Sequence, residues 1–93
     1  MRIGWRPLAV ADLDEIVTHV AQDDVRAAIA LGDTFERRIA GLAERPRLYR
    51  SGRVRGTREM VVHPSYVVVY RVKRDEIEII RVLHTARQWP RGR

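Results

Sequence analysis

Two runs in the second half of the chain, Tyr66–Val72 and Ile77–Leu83, constrain the fold most strongly. Both are rich in β-branched and aromatic residues, and both are apolar on either face. A strand that is apolar on both faces belongs inside a sheet, with something packed against each side. Lys73-Arg74-Asp75-Glu76 between them reads as a tight hairpin. With Arg74-Asp75 as its two-residue loop, Arg71 lies opposite Glu78 and Val72 opposite Ile77. The opposite-charge pair supports that register, although such pairs contribute only ~0.2–1 kcal/mol. Thr57–His63 reads as a further strand, and His63-Pro64-Ser65 as a turn in which the proline holds His63 extended.

One face of that sheet has its cover in the first half of the chain. Arg2-Ile3-Gly4-Trp5 reads as a short extended opening closed by Pro7. Leu13, Ile16, Val17 and Val20 then recur at i, i+3, i+4 and i+7, one helical face, with Asp12 and Glu15 early in the segment, where carboxylates favour a helix N-terminus. A second helix follows Gln22-Asp23-Asp24 with an aspartate as N-cap. Its stripe is Ala28, Leu31, Phe35, Ile39 and Leu42, and Pro46 stops it. The short link makes the two helices an antiparallel hairpin. After the loop Pro46–Gly52 come the strands. The expected fold is therefore α+β, in the order β-α-α-β-β-β: one domain over residues 1–93, with a helical hairpin packed on a twisted antiparallel sheet. The second sheet face is left for another element or a partner.

At 93 residues the chain buries only roughly 60–65% of its unfolded surface, so a working site is expected as a surface groove or sheet face. Eighteen Lys and Arg against twelve Asp and Glu give a formal charge of +6, and Lys73 is the only lysine. Arginine suits bidentate contacts with carboxylate or phosphate, which points to an acidic protein or a nucleic acid as partner. A GC-rich genome would also raise the arginine share. Without cysteine, disulfide frameworks and thiolate zinc sites are excluded. No apolar run reaches the ~18 residues of a membrane span and the N-terminus lacks a signal core, so a soluble, cytoplasmic protein is expected.

The polar groups of the second half concentrate among the strands: Arg53, Arg55, Arg58, Arg71, Arg81, His84 and Arg87, followed by Gln88-Trp89-Pro90. Arginines near a histidine at a strand end are the raw material of a phosphate site. Each also has a structural reading, Arg71 as a cross-strand partner of Glu78 and His84 as a hydrogen-bonded strand end. Trp5 and Trp89 read as packing residues. His19 and His63 have no carboxylate at ligand spacing, so no metal site is expected, and no cofactor motif is present.

The run from Gly56-Thr57-Arg58-Glu59 through His63-Pro64-Ser65-Tyr66-Val67-Val68-Val69-Tyr70-Arg71-Val72 to Arg81-Val82-Leu83-His84-Thr85-Ala86-Arg87-Gln88-Trp89-Pro90 closely resembles the RelE/ParE superfamily of bacterial toxins. Trp5, Ala11-Asp12-Leu13, Ile16, Ala27-Ala28, Leu42 and Pro46 agree with it, so the resemblance spans essentially the whole chain. It implies the toxin half of a type II toxin–antitoxin pair, growth inhibition, and a toxin–antitoxin hetero-oligomer with a small acidic, ParD- or RelB-like antitoxin. RelE-like members cleave mRNA on the ribosome, using basic residues on the strand before the Tyr66 hairpin, an arginine just after the aromatic position matching Tyr66, an arginine near Arg87, and often a Tyr or His near the C-terminus. Arg58 and Arg87 match two such sites, but Met60 and Val67 stand at two others and no C-terminal tyrosine follows. ParE-like members resemble the chain better; they poison DNA gyrase by binding. The resemblance thus implies a gyrase poison rather than an enzyme, with a ribosome-dependent endoribonuclease as the alternative. It supplies no catalytic residue, cofactor or membrane role, and DNA is contacted only indirectly, through the antitoxin complex. Arg58, Arg81, His84 and Arg87 stand as candidate target contacts. Arg37, Arg38, Arg53 and Arg55 stand as candidate antitoxin contacts.

Overall fold

A computed structural model describes residues 1–87 and 89–90. Strand β1 (Arg2–Trp5) leads into helices α1 (Pro7–Ala21) and α2 (Val25–Ala40), and a 3-10 turn (Gly41–Ala43) extends α2. Then come β2 (Arg50–Ser51), β3 (Arg58–His63), β4 (Tyr66–Val72) and β5 (Glu76–His84). Pro7 does more than close β1: it opens α1 at the first helical position, where its missing N–H costs nothing. The helix therefore starts earlier than its apolar stripe suggested. Asp12 lies in its second turn, and no acidic residue occupies the first. The α2 cap is as expected, with Asp24 accepting from the Ala27 N–H at 3.1 Å. The helix itself ends at Ala40, before Pro46 is reached.

The five strands form one sheet in the order β1-β5-β4-β3-β2. The β4–β5 register is the expected one, Arg71 opposite Glu78 and Val72 opposite Ile77. The sheet is mixed rather than antiparallel, because β1 runs parallel to β5. Hairpin turns dictate antiparallel neighbours only for consecutive strands, and nothing local fixes the direction of β1. The two-residue β2, inside what reads as loop, adds an edge to β3.

The helices cover one face, where Phe35, Ile39, Leu42, Met60, Tyr70 and Ile79 form the buried core. Each such side chain stabilises by roughly 1.5–3 kcal/mol. Val67, Val69, Ile80 and Leu83 form a second cluster, against which Trp89 packs. The chain's own C-terminal segment thus contributes to covering the second face. Both tryptophans are packing residues, Trp5 joining the first cluster. A bulge sets Ile80 and Arg81 together opposite Val69, and such an extra residue re-aims neighbouring side chains.

Candidate functional site

Arginines line the loop from Pro46 to Thr57, and the sheet builds that loop. Burial pushes the Tyr70 phenol pKa up and keeps it a donor; its hydroxyl donates to the Pro46 carbonyl at 2.8 Å. Arg58 Nη1 donates to the carbonyls of Tyr49 (2.8 Å) and Arg47 (3.4 Å). Glu59, only 3% exposed, holds the other side. Its carboxylate accepts from the Arg53 backbone N–H (2.9 Å), Arg53 Nε (3.2 Å) and Arg50 Nη2 (3.3 Å). Burial would raise the Glu59 pKa, but the hydrogen bonds and charge of Arg53, aided by Arg50, hold it below the usual range. The return of the loop needs two glycines. Gly56 has φ of +83°, a backbone region that side chains disfavour, and a Cβ on Gly52 would overlap the Thr57 hydroxyl. A cleft of about 370 Å³ results, lined by Arg47, Arg55, Arg58, Ser51 and Thr57.

The other end of the sheet carries an aromatic and histidine cluster. Tyr66 lies between His63 and His84, with ring centroids 5.6 and 5.7 Å away. His63 Nδ1 accepts from the Ser65 N–H and His84 Nδ1 from the Ala86 N–H, at 3.0 and 3.1 Å. These turn bonds leave Nε2 as the protonated nitrogen of each neutral ring. Among the described residues, no three of His, Cys, Asp and Glu come together, so none is assigned as a metal ligand.

The four candidate target contacts do not form one site. Arg81 is committed to Asp12 on α1, Nε to Oδ2 at 2.7 Å and Nη2 to Oδ1 at 2.9 Å, and the same carboxylate accepts the Val82 N–H. Hydrogen bonding to Asp12 raises the Arg81 pKa further, so it stays charged. Arg58 pairs across β4 with Tyr70, and His84 with Tyr66. Four residues of strand at ~3.3 Å each offset them by roughly 13 Å along the strands, and they lie on either side of β4. His84 and Arg87 are both exposed, and the Arg87 N–H donates to the His84 carbonyl at 2.9 Å.

The candidate antitoxin contacts divide as well. Arg37 is exposed on the last turn of α2, while Arg38 Nη2 donates to the Val61 carbonyl at 3.2 Å. Arg53 is tied to Glu59 and reaches the Arg87 carbonyl at 3.1 Å, which links the loop to the C-terminal segment. Arg55 lines the basic cleft. Arg71 has a weaker tie to Glu78 (3.9 Å) than its register suggested, because Arg6 takes that carboxylate at 3.0 Å. Gln88 falls outside the described residues.

An apolar groove of about 550 Å³ lies where α1, α2 and β1 meet. Trp5, Val10, Leu13 and Val17 line it, with Gly32 opposite; Asp14 and Glu36 are its charged lining residues. A second hollow of about 380 Å³ continues it past Trp5 and Leu13 to Ile3 and Ile39. Val10, Asp14 and Val17 recur at i, i+4 and i+7, so the spacing carried a signal, but one indistinguishable from a core stripe.

Residues 3–89 match the family model of the ParE toxin of the type II toxin–antitoxin system parDE. The chain is 39% identical over 90 residues to the putative toxin Y4kP of Sinorhizobium fredii, covering 96% of this chain and 93% of that protein. It is 33% identical over 86 residues to toxin RelE2 of Caulobacter vibrioides, covering 92% and 97%. Its fold is similar to a structure of the chromosomal ParDE toxin–antitoxin system of P. aeruginosa, with a TM-score of 0.78, 26% identity, and coverage of 90% and 95%.

Proposed function

The chain belongs to the ParE toxin family of type II toxin–antitoxin systems, and from that premise we propose that it halts bacterial growth by poisoning DNA gyrase and is held inactive by a cognate antitoxin. The observation that carries the choice of target is the burial of Met60 and Val67, both 0% exposed. The resemblance to RelE-like members implies cations at these positions in an RNA-cleaving toxin, and here they belong to the two apolar clusters. Acid–base groups each supply typically ~10²–10⁴-fold in such a cleavage, so their absence favours a toxin that acts by binding.

The antitoxin reading rests on the helical face. The groove between α1, α2 and β1 offers an apolar surface for one side of an amphipathic segment. Arg37, exposed on the last turn of α2, is available to that segment's carboxylates. The alternative, ribosome-dependent mRNA cleavage, draws on the likeness to RelE2 and on the exposed His63, His84 and Arg87 around Tyr66.

Purified toxin, added to gyrase and supercoiled plasmid with ATP, is expected to trap cleavage complexes, read as linear plasmid after denaturation and proteolysis. Prior addition of the cognate antitoxin abolishes the effect. Intact gyrase turnover, together with codon-specific cuts in a translating extract, would overturn the gyrase assignment.

A further inference from the structure

The charge of the molecule is not spread over it. Six of its eighteen cationic residues, Arg45, Arg47, Arg50, Arg53, Arg55 and Arg58, fall within residues 45–58, a segment without a single Asp or Glu. The other twelve are matched by the twelve acids of the rest of the chain, so the whole formal excess of +6 resides in this one loop. We infer that the cleft lined by Arg47, Arg55 and Arg58 is a phosphodiester-binding site, through which the toxin grips the backbone of duplex DNA directly and not, as the resemblance implies, only through the antitoxin complex. The choice of DNA as the polyanion rests on the gyrase reading; the site itself rests on the loop.

Three observations favour a built anion site over a solvated arginine-rich loop. First, the backbone around it is fixed: Tyr70 holds the Pro46 carbonyl, Arg58 the carbonyls of Arg47 and Tyr49, and Glu59 the Arg53 N–H, while Glu59 also takes the Arg50 side chain. Second, that anchoring leaves charge over. Glu59 engages Arg50 and Arg53, while neither Arg47 nor Arg55 forms an ion pair with a described residue. Among the described residues Arg58 hydrogen-bonds to neutral carbonyls alone, through Nη1. Third, the lining carries the Ser51 hydroxyl beside the guanidiniums and no carboxylate among the described residues. Guanidinium and hydroxyl donors around a fixed backbone are the groups that position phosphate oxygens without reading base sequence. An acidic peptide offers the same sign of charge. Successive phosphates on a rigid duplex repeat at regular spacing, which suits cations displayed on a backbone that the fold holds in place.

The test is binding of the isolated toxin to a fluorescein-labelled 20-base-pair DNA duplex, followed by anisotropy over a salt series, without gyrase. Wild-type toxin is expected to bind in the range of roughly 10⁻⁴–10⁻⁶ M, with log affinity falling against log salt at about −0.9 for each phosphate engaged, near −3 for three contacts. The double variant Arg47→Ala/Arg55→Ala is expected to bind at least about tenfold more weakly at low salt and to lose about two units of that slope. Arg26→Ala/Arg74→Ala removes the same charge from two exposed positions outside the loop and is expected to leave binding near the wild-type value. Circular dichroism and thermal melting of both variants confirm that they are folded.

Equal weakening by the Arg26/Arg74 pair would overturn the site, since net charge alone would then explain binding. Preference for poly-glutamate or for a single-stranded 20-nucleotide RNA over the duplex would overturn it too. The two proposals fail separately. A duplex that does not bind, with gyrase still trapped, removes this site and leaves the gyrase reading standing. Duplex binding that depends on Arg47 and Arg55, with gyrase unaffected, keeps the site and removes that reading.

Discussion

Asp12 reads in sequence as a helix-start residue, yet its carboxylate accepts three hydrogen bonds from β5, two from Arg81 and one from the Val82 backbone. Both side chains are largely buried, 11% and 15% exposed. Removing one partner of such a pair leaves the other charge desolvated and unpaired, so Asp12→Ala is expected to cost about 2–4 kcal/mol in urea denaturation. Replacing both, as Asp12→Leu/Arg81→Met, should recover most of that loss; a single variant within 1 kcal/mol of wild type would contradict the pairing. Glu59 gives a pH-dependent counterpart. Its folded pKa lies below its unfolded value of ~4.3, so the unfolded state binds the proton more readily. Its stabilising contribution is full well above that value and is lost as pH falls through the folded pKa. Wild-type melting temperature is therefore expected to drop more steeply below about pH 4.3 than that of Glu59→Gln. Parallel acid profiles for the two proteins would show that the carboxylate does not organise the loop.

At the scale of elements, each piece is held by a few contacts of identifiable strength. The Asp24 cap satisfies one of the orphan N–H groups of α2. Asp24→Ala is expected to cost about 1 kcal/mol, read as a lower denaturation midpoint at unchanged m-value. The basic loop depends on the sheet below it through the Tyr70 hydroxyl. Tyr70→Phe keeps the ring in the core and removes that bond, at about 1 kcal/mol. Its sharper signature is local: amide exchange should accelerate between residues 47 and 57 and stay unchanged in β4 and β5. Uniform acceleration across the sheet would mean that the phenol holds up the core instead of the loop. Elements built on local periodicity were the legible ones, among them the α2 stripe, its cap and the β4–β5 hairpin. The two-residue β2 was not, because it exists only where β3 offers an edge to Arg50 and Ser51.

On the scale of the whole molecule, a neutral body carries one strongly basic loop at the sheet edge and an acid-rimmed apolar groove beside the helices. The two surfaces should respond differently to salt. The association rate with an acidic antitoxin is expected to fall as ionic strength rises, since steering is screened over ~8–10 Å near physiological salt. Dissociation, governed by apolar groove contacts, should change little; stopped-flow rates across a salt series measure both. By itself the sequence determined the α+β class, the helical hairpin, the β4–β5 register and the resemblance to a toxin superfamily. These depend on hydrophobic period, turn chemistry and residues close together in the chain. Only the tertiary structure decided that β1 runs parallel to β5, that Trp89 packs on the second face, and that Arg81 is spent on Asp12 and Arg53 on Glu59. Asp12 and Arg81 are far apart along the chain, and an ion pair between such residues has no spacing rule that announces it. Hence the sequence could supply candidate arginines but not say which were already paired. Packing made that choice, and it left Arg47 and Arg55 facing a cleft with no carboxylate among its described lining residues.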